Sequence, residues 1–335
     1  MKNILLIWLA LVSACNLPTP VKKSEHYAIV IHGGAGGMRQ ENMTSAQQKA
    51  YAQELEAALN KGYSILENKG SAIDAVQSAI ISMENAPLFN AGKGAVYNSD
   101  GNQEMDASIM EGNGLNSGAV AGVNHIKNPI LAARMVMDSS SHVMLSGKGA
   151  EILARKHHLN MVDSSYFFTQ KRMNQFNKEQ GRHQASNKKE DLIDDHKFGT
   201  VGAVAIDQEG NIAAGTSTGG ISNKKYGRIG DSPIIGAGTY ANNLTCGISA
   251  TGTGEYFIRT VAAHEVSNLI QYKGLQPDEA LREVIFKQIA PMGGEGGMIL
   301  IDKKGSVYWD FNSNGMYRAY KKSSGEMVIK LFGKE

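Results

Sequence analysis

The sequence predicts an α+β fold in a single globular unit, and three observations carry that reading. Runs of small and β-branched residues such as Val201 to Ile206 and Ile212 to Ser217 read as strands. Apolar residues recur at helical spacing from Thr44 to Asn68 and from Ser71 to Glu84. The order is strands and helices, then strands, helices and strands, with no internal repeat. A chain of 335 residues can bury a sizeable core, and 34 basic against 32 acidic residues give no reason to expect nucleic acid as a partner.

At the amino terminus Met1-Lys2-Asn3, the apolar run Ile4 to Val12 and Ser13-Ala14-Cys15 read as an export signal, too short for a spanning helix. The Leu11-Val12-Ser13-Ala14-Cys15 ending resembles a bacterial lipoprotein signal. Residues 1-15 are then the signal, Cys15 its lipidation site and 16-25 a tether. An exported, periplasmic protein held to a membrane by lipid alone is the expectation. Cys246 is the only other cysteine, so no disulfide framework is expected.

Tyr27 to Ile31 reads as a strand that runs into His32-Gly33-Gly34-Ala35-Gly36-Gly37. The run lacks both the dinucleotide spacing and the Gly-Lys-Ser/Thr ending of a phosphate loop, so its glycines are expected to lie against an active site and hold its backbone. His32 reads as a hydrogen-bonded structural residue. Ser71 is placed to cap the second helix, and Glu84 to Gly94 is a Pro- and Gly-containing loop. Strands follow at Glu104 to Met110 and Ser117 to Val123, with helices at Pro129 to Met137 and Ser146 to His158. From Asp163 to Asp195 the chain is polar, lacks apolar periodicity and reads as a mobile linker. Helices at Glu255 to Gln271 and Pro277 to Ile289, then strands at Gly297 to Asp302, Ser306 to Asp310 and Glu326 to Leu331, close the chain.

The central feature is the hairpin that begins at Gly199-Thr200. Gln208-Glu209-Gly210-Asn211 turns Val201 to Ile206 back onto Ile212 to Ser217, which brings the Thr200 hydroxyl beside that of Thr218. Hydroxyls gathered at one sheet edge suggest nucleophilic chemistry. A threonine hydroxyl is a weak nucleophile without a base beside it, and the residue's own α-amine becomes that base once the chain is cut before it.

Several motifs then occur in order: His32-Gly33-Gly34-Ala35-Gly36, Pro87-Leu88-Phe89-Asn90-Ala91-Gly92-Lys93-Gly94, Gly199-Thr200-Val201-Gly202, Thr216-Ser217-Thr218-Gly219-Gly220, Gly227-Arg228-Ile229-Gly230-Asp231-Ser232-Pro233, Gly236-Ala237-Gly238-Thr239 and Thr251-Gly252-Thr253-Gly254-Glu255. Together they resemble the plant-type asparaginases, or isoaspartyl peptidases, which are N-terminal-nucleophile hydrolases.

The resemblance implies a four-layer αββα sandwich cut between Gly199 and Thr200 into an α part (26-199, with the linker at 163-195) and a β part (200-335). Thr200 is the implied nucleophile and Thr218 its hydrogen-bonding partner. The Thr251 hydroxyl and Gly252 N–H match the oxyanion hole, and Asn90 a supporting position. Arg228 and Asp231 would read the α-carboxylate and α-amine of an aspartyl unit, the arginine through two parallel hydrogen bonds. The carbonyls of Met83, Glu84, Phe89, Ala91 and Lys93 match a loop that wraps structural sodium, and no catalytic cofactor is implied.

The implied activity is self-cleavage, then hydrolysis of the asparagine side-chain amide and of β-aspartyl dipeptides, by a dimer of cleaved units. Two alternatives stand beside it. One is a glycosylasparaginase, whose motif generally carries Asp-Thr and Thr-Asn-Gly where this chain has Gly199-Thr200 and Thr218-Gly219-Gly220. The other is a non-catalytic lipoprotein that binds an amino acid.

Overall fold

A computed structural model describes residues 26–185 and 199–333. The signal, Cys15 and the tether lie outside the described residues. Strand β1 (Ala28–Gly36) is followed by helices α1 (Ser45–Glu67) and α2 (Ala72–Asn85), strands β2 (Met105–Glu111) and β3 (Ser117–Val123), helix α3 (Pro129–Ser139), the short β4 (Met144–Ser146), and helices α4 (Gly147–Lys156) and α5 (Gln170–Ala185). The hairpin β5 (Val201–Ile206) and β6 (Ile212–Thr218) precedes β7 (Thr239–Ala241) and β8 (Cys246–Gly252), then α6 (Gly254–Thr260), α7 (Ala262–Lys273) and α8 (Pro277–Arg282). Strands β9 (Gly296–Asp302), β10 (Val307–Phe311), β11 (Gly315–Lys322) and β12 (Met327–Lys330) close the chain.

The strands form two sheets, an eight-stranded one in the order β12-β11-β1-β5-β6-β2-β3-β4 and a four-stranded one in the order β10-β9-β8-β7. Alternation along β1 and β5 sorts their side chains between two cores. Ile29, Ile31, Ala203 and Ala205 pack with Leu55, Leu59, Val76 and Ile80 of α1 and α2, whereas Val30, Val204 and Ile206 pack with Ile248, Ile299, Val266 and Leu281. These central strands are buried on both faces, which is why they read as continuous apolar runs.

The Ser71 cap agrees with the sequence, its side chain accepting from the Asp74 N–H, and the structure adds a Thr44 cap on α1 that accepts from the Gln47 N–H. Other elements differ from expectation. The segment from Asp163 is not a linker throughout. It forms a short 3-10 turn (Ser164–Phe167) and then α5, and residues 186–198 lie outside the description. Phe167 is fully buried, the Phe176 ring meets Tyr97 at 5.5 Å, and Arg172 Nε donates to the Gly94 carbonyl at 2.7 Å. The helix docks through a few aromatic and polar contacts, so it carries no apolar stripe.

The helix expected over Glu255 to Gln271 is broken at Val261, whose φ of 48° is unfavourable for a β-branched residue. The break lets the N–H groups of Ala263 and His264 bond the carbonyls of Ala237 and Gly236 at 3.2 and 2.8 Å. The helix from Pro277 likewise passes into a wider π-type turn at Glu283–Ile289. Strands β4, β7, β8 and β11 were not expected. In β11, a neighbour of β1, the buried Arg318 disguises the pattern, its guanidinium donating to the carbonyls of Met316, Phe332 and Gly333.

Packing of α1 against α2 and β1 depends on Gly62, where a Cβ would lie 2.4 Å from Ile29 Cδ1 and 2.8 Å from the Ala75 carbonyl oxygen. Gly62→Ala should therefore lower Tm, because overpacking costs about 1–3 kcal/mol against a helix-propensity gain of at most about 1 kcal/mol. An unchanged or raised Tm would show that these helices shift freely.

Candidate active site

Antiparallel pairing sets Val201 opposite Ser217, so Thr200, just ahead of β5, meets Thr218 at the end of β6. The Thr200 hydroxyl donates to the Thr218 hydroxyl at 3.0 Å, and Thr218 in turn donates to the Gly199 carbonyl at 3.2 Å. The Gly220 N–H donates to the Thr218 oxygen at 3.0 Å. Both threonines are buried.

Asn90 supplies a second donor to the same carbonyl. Its Nδ2 reaches the oxygens of Gly199 and Gly220 at 2.8 and 2.7 Å, while its Oδ1 accepts from the Val96 N–H at 3.0 Å. Two fixed donors therefore face the carbonyl that precedes Thr200, a more direct placement than the supporting one expected for Asn90. Gly199 needs its lack of side chain here, since a Cβ would lie 2.9 Å from the Asn90 Cβ.

The glycine run of β1 lies against this centre as expected. A Cβ on Gly34 would be 2.9 Å from Gly199 Cα, and the Ala35 N–H donates to the Thr251 hydroxyl at 3.3 Å. His32 is fully buried, with Nδ1 3.1 Å from the Thr200 carbonyl and Nε2 2.9 Å from the Ser249 hydroxyl. Burial pushes its pKa down to about 3, so the imidazole is neutral. A carbonyl only accepts, so Nδ1 carries the hydrogen and Nε2 accepts from Ser249. Gly202 makes room for this contact, because a Cβ there would lie 2.0 Å from Ser249 Oγ.

Gly199, Thr200, Thr218, Gly220, Arg228, Asp231 and Gly252 line one small cavity of about 10 Å³, room for a single water at most. Gly252 belongs to the lining and Thr251 does not. Burial pushes the Asp231 carboxyl up to about 7, against the opposing pull of Arg228, and its Oδ2 has no hydrogen-bond partner. Arg228 is anchored along one edge of its guanidinium. Its Nε and Nη2 already donate to the two Glu255 oxygens at 2.8 and 2.9 Å. The Nη1–Nη2 end of the guanidinium is what remains for a ligand.

Sequence reasoning missed Glu255 as the anchor of Arg228, and Ser249 as the partner of His32. It also missed Lys224, whose buried ammonium donates to the Glu104 carbonyl at 3.0 Å and lies 4.0 Å from Asp106 Oδ2. The Gly254-Glu255 step after Thr253 was the one available signal for Glu255.

Among the described residues no group of three or more His, Cys, Asp or Glu side chains could hold a metal ion. The 84–94 loop poses a separate question, since its matched ligands are carbonyls. A Cβ on Gly92 would lie 2.4 Å from the Glu84 oxygen, and one on Gly94 2.0 Å from the Phe89 oxygen. The buried Glu84 Oε2 lacks a partner. Carbonyl and carboxyl oxygens are the hard ligand type that sodium takes.

The asparaginase family model matches residues 25–330, and the chain belongs to that family. It is 46% identical over 294 residues to an isoaspartyl peptidase of Escherichia coli, covering 87% of this chain and 92% of the relative. An isoaspartyl peptidase of Salmonella typhimurium is also 46% identical, covering 87% and 94%. A Rattus norvegicus isoaspartyl peptidase/L-asparaginase is 39% identical, covering 87% of each chain.

These relatives overturn the periplasmic, lipid-anchored location expected from the leader. Kinship to the isoaspartyl peptidases rests on residues 25–330, whereas the location rested on residues 1-25 alone. No helix among the described residues is long and apolar enough to cross a membrane.

His32→Leu comes near the imidazole's volume but leaves the Thr200 carbonyl and the Ser249 hydroxyl without this partner. Denaturant unfolding should show a loss of about 1–3 kcal/mol. A loss below about 0.5 kcal/mol would remove His32 as the strut of the nucleophile's backbone.

Proposed function

We propose that this chain is a threonine hydrolase that cuts itself between Gly199 and Thr200, then hydrolyses the side-chain amide of L-asparagine and the isopeptide bond of β-aspartyl dipeptides. The observation that carries the reading is the hydroxyl pair at the Gly199 carbonyl, with Thr200 donating to Thr218 at 3.0 Å and Thr218 to that carbonyl at 3.2 Å. The names of the relatives support the substrate class.

In self-cleavage Thr200 Oγ attacks the Gly199 carbonyl carbon, and Asn90 and Thr218 hold the oxygen as it gains charge. The C–N bond breaks, the freed amine takes the hydroxyl's proton, and water hydrolyses the resulting ester. The products are a Gly199 carboxylate and an amino-terminal Thr200. Its amine, with an unperturbed pKa of about 7.7–8.0, serves as the base in turnover.

That amine takes the proton from Oγ as it attacks the substrate's side-chain carbonyl, and returns it to the leaving nitrogen as the C–N bond breaks. The Gly252 N–H and Thr251 hydroxyl are assigned to the new oxyanion. Water then releases aspartate and restores Thr200. Asp231 pairs with the substrate's ammonium, and the free end of Arg228 with its α-carboxylate. A donor worth about 2.7–4 kcal/mol of barrier is the scale at which each oxyanion contact should act.

The same reading takes the two cores as the inner packing of a four-layer αββα sandwich divided into an α part (26-199) and a β part (200-335). The carbonyls of Met83, Glu84, Phe89, Ala91 and Lys93 would hold a structural sodium ion beside Asn90. A dimer of cleaved units is included on the family resemblance.

Aspartate release from L-asparagine and from a β-aspartyl dipeptide tests the reading directly, and a purified, fully processed protein that releases none would defeat it. The Asp231 carboxyl, raised to about 7, is neutral below that pH and then cannot pair with an ammonium group. The 1/KM for asparagine should therefore fall by up to tenfold per pH unit below about 7. Arg228→Ala should raise KM and leave self-cleavage intact. A KM independent of pH from 5 to 8 would remove Asp231 from substrate binding.

A further inference from the structure

A larger cavity of about 480 Å³ lies on the other side of Gly199. Gly199 lines both it and the small cavity at Arg228 and Asp231. Gly199 is thus common to the two linings, and self-cleavage frees it to leave that position.

The walls of the larger space differ in chemistry. One wall is aromatic, with Tyr51 stacked on Tyr317 at 4.5 Å and edge-on to Phe89 at 5.8 Å. The adjoining wall is the face of α5 that carries Lys171, Arg172 and Lys178. Lys171 is held over the Tyr51 ring, its Nζ donating to the Tyr51 hydroxyl at 2.9 Å with two hydrogens left. Arg172 is anchored through Nε to the Gly94 carbonyl and through Nη1 to Gln175, which leaves Nη2. The carboxylate on this wall, Glu179, is already engaged by Ser222 at 2.6 Å and Gln175 at 3.3 Å. The cavity therefore presents spare cationic donors beside an apolar ring surface.

We propose that this cavity is the leaving-group site for the residue released from a β-aspartyl dipeptide. It would take that residue's free α-carboxylate on Lys171 and Lys178 and its apolar side chain on Tyr51, Phe89 and Tyr317. The inference rests on the hydrolase reading above. An aspartyl unit seated at Arg228 and Asp231 has its side-chain carbonyl at Thr200, so the leaving nitrogen points through the space vacated by Gly199. The volume suits an amino acid, since small-molecule sites run from about 300 to 1,000 Å³. Asparagine releases only ammonia and makes no use of this wall. The site thus favours β-aspartyl dipeptides with a free carboxyl terminus and an apolar second residue.

The test compares kcat/KM for β-aspartyl-leucine and β-aspartyl-leucinamide, each normalised to asparagine, in the cleaved wild type and in a Lys171→Met, Lys178→Met double variant. The wild type should favour the free acid by about fivefold, the scale of two partly exposed ion pairs, and the variant should lose most of that preference. Self-cleavage and Tm, measured on the same samples, report folding. Lys171→Arg with Lys178→Arg keeps the charge and should retain the preference. Wild type that hydrolyses both dipeptides without preference, or a Met variant that keeps it, overturns the leaving-group site alone. Failure of the processed wild type to hydrolyse any of the three substrates overturns the hydrolase reading, and this site with it.

Discussion

One hydroxyl group organises the centre of this molecule. Thr218 Oγ accepts from the Thr200 hydroxyl and the Gly220 N–H and donates to the Gly199 carbonyl. These contacts use both lone pairs and the single proton that a hydroxyl has. The direction of each bond is thereby fixed: the nucleophile's proton points away from the carbonyl, and the carbonyl receives a donor. Buried polar groups this crowded are tolerated because each is paired.

The rest of the fold delivers groups to that point at close range. β5 and β6 bring the two threonines together, the 84–94 loop brings Asn90, and β1 brings His32 and the glycine run. Several of these approaches leave no room for a side chain. A Cβ at Gly219 would sit 2.5 Å from Asn90 Oδ1, and one at Gly252 would sit 2.3 Å from the Glu295 carbonyl. The glycine-rich motifs are thus places where two backbones, or a backbone and a polar side chain, share one space.

Legibility in the sequence followed the range of the interaction. The Thr200 and Thr218 pair could be read because a short turn between two strands fixes their register. The Ser71 cap of α2 could be read for the same local reason. Asn90 was placed only by family resemblance, because its bond to Gly199 joins distant loops that no periodicity connects. The His32–Ser249 contact joins the two sheets and left no trace in either strand. Helix α5 was hidden because its docking surface is polar, and β11 because Arg318 and the closing Lys321-Lys322 interrupt its apolar pattern. The break at Val261 has no glycine or proline to announce it; it is held by bonds from the next helix to residues 236 and 237.

The central claim is that Thr200 becomes an amino-terminal nucleophile by its own attack on Gly199. The intact mass of the purified protein, beside that of Thr200→Ala, tests it most directly. The account expects two chains divided between Gly199 and Thr200 in the wild type and one unbroken chain in the variant. A wild type that stays whole after long incubation, or a variant cut at the same bond, would contradict it.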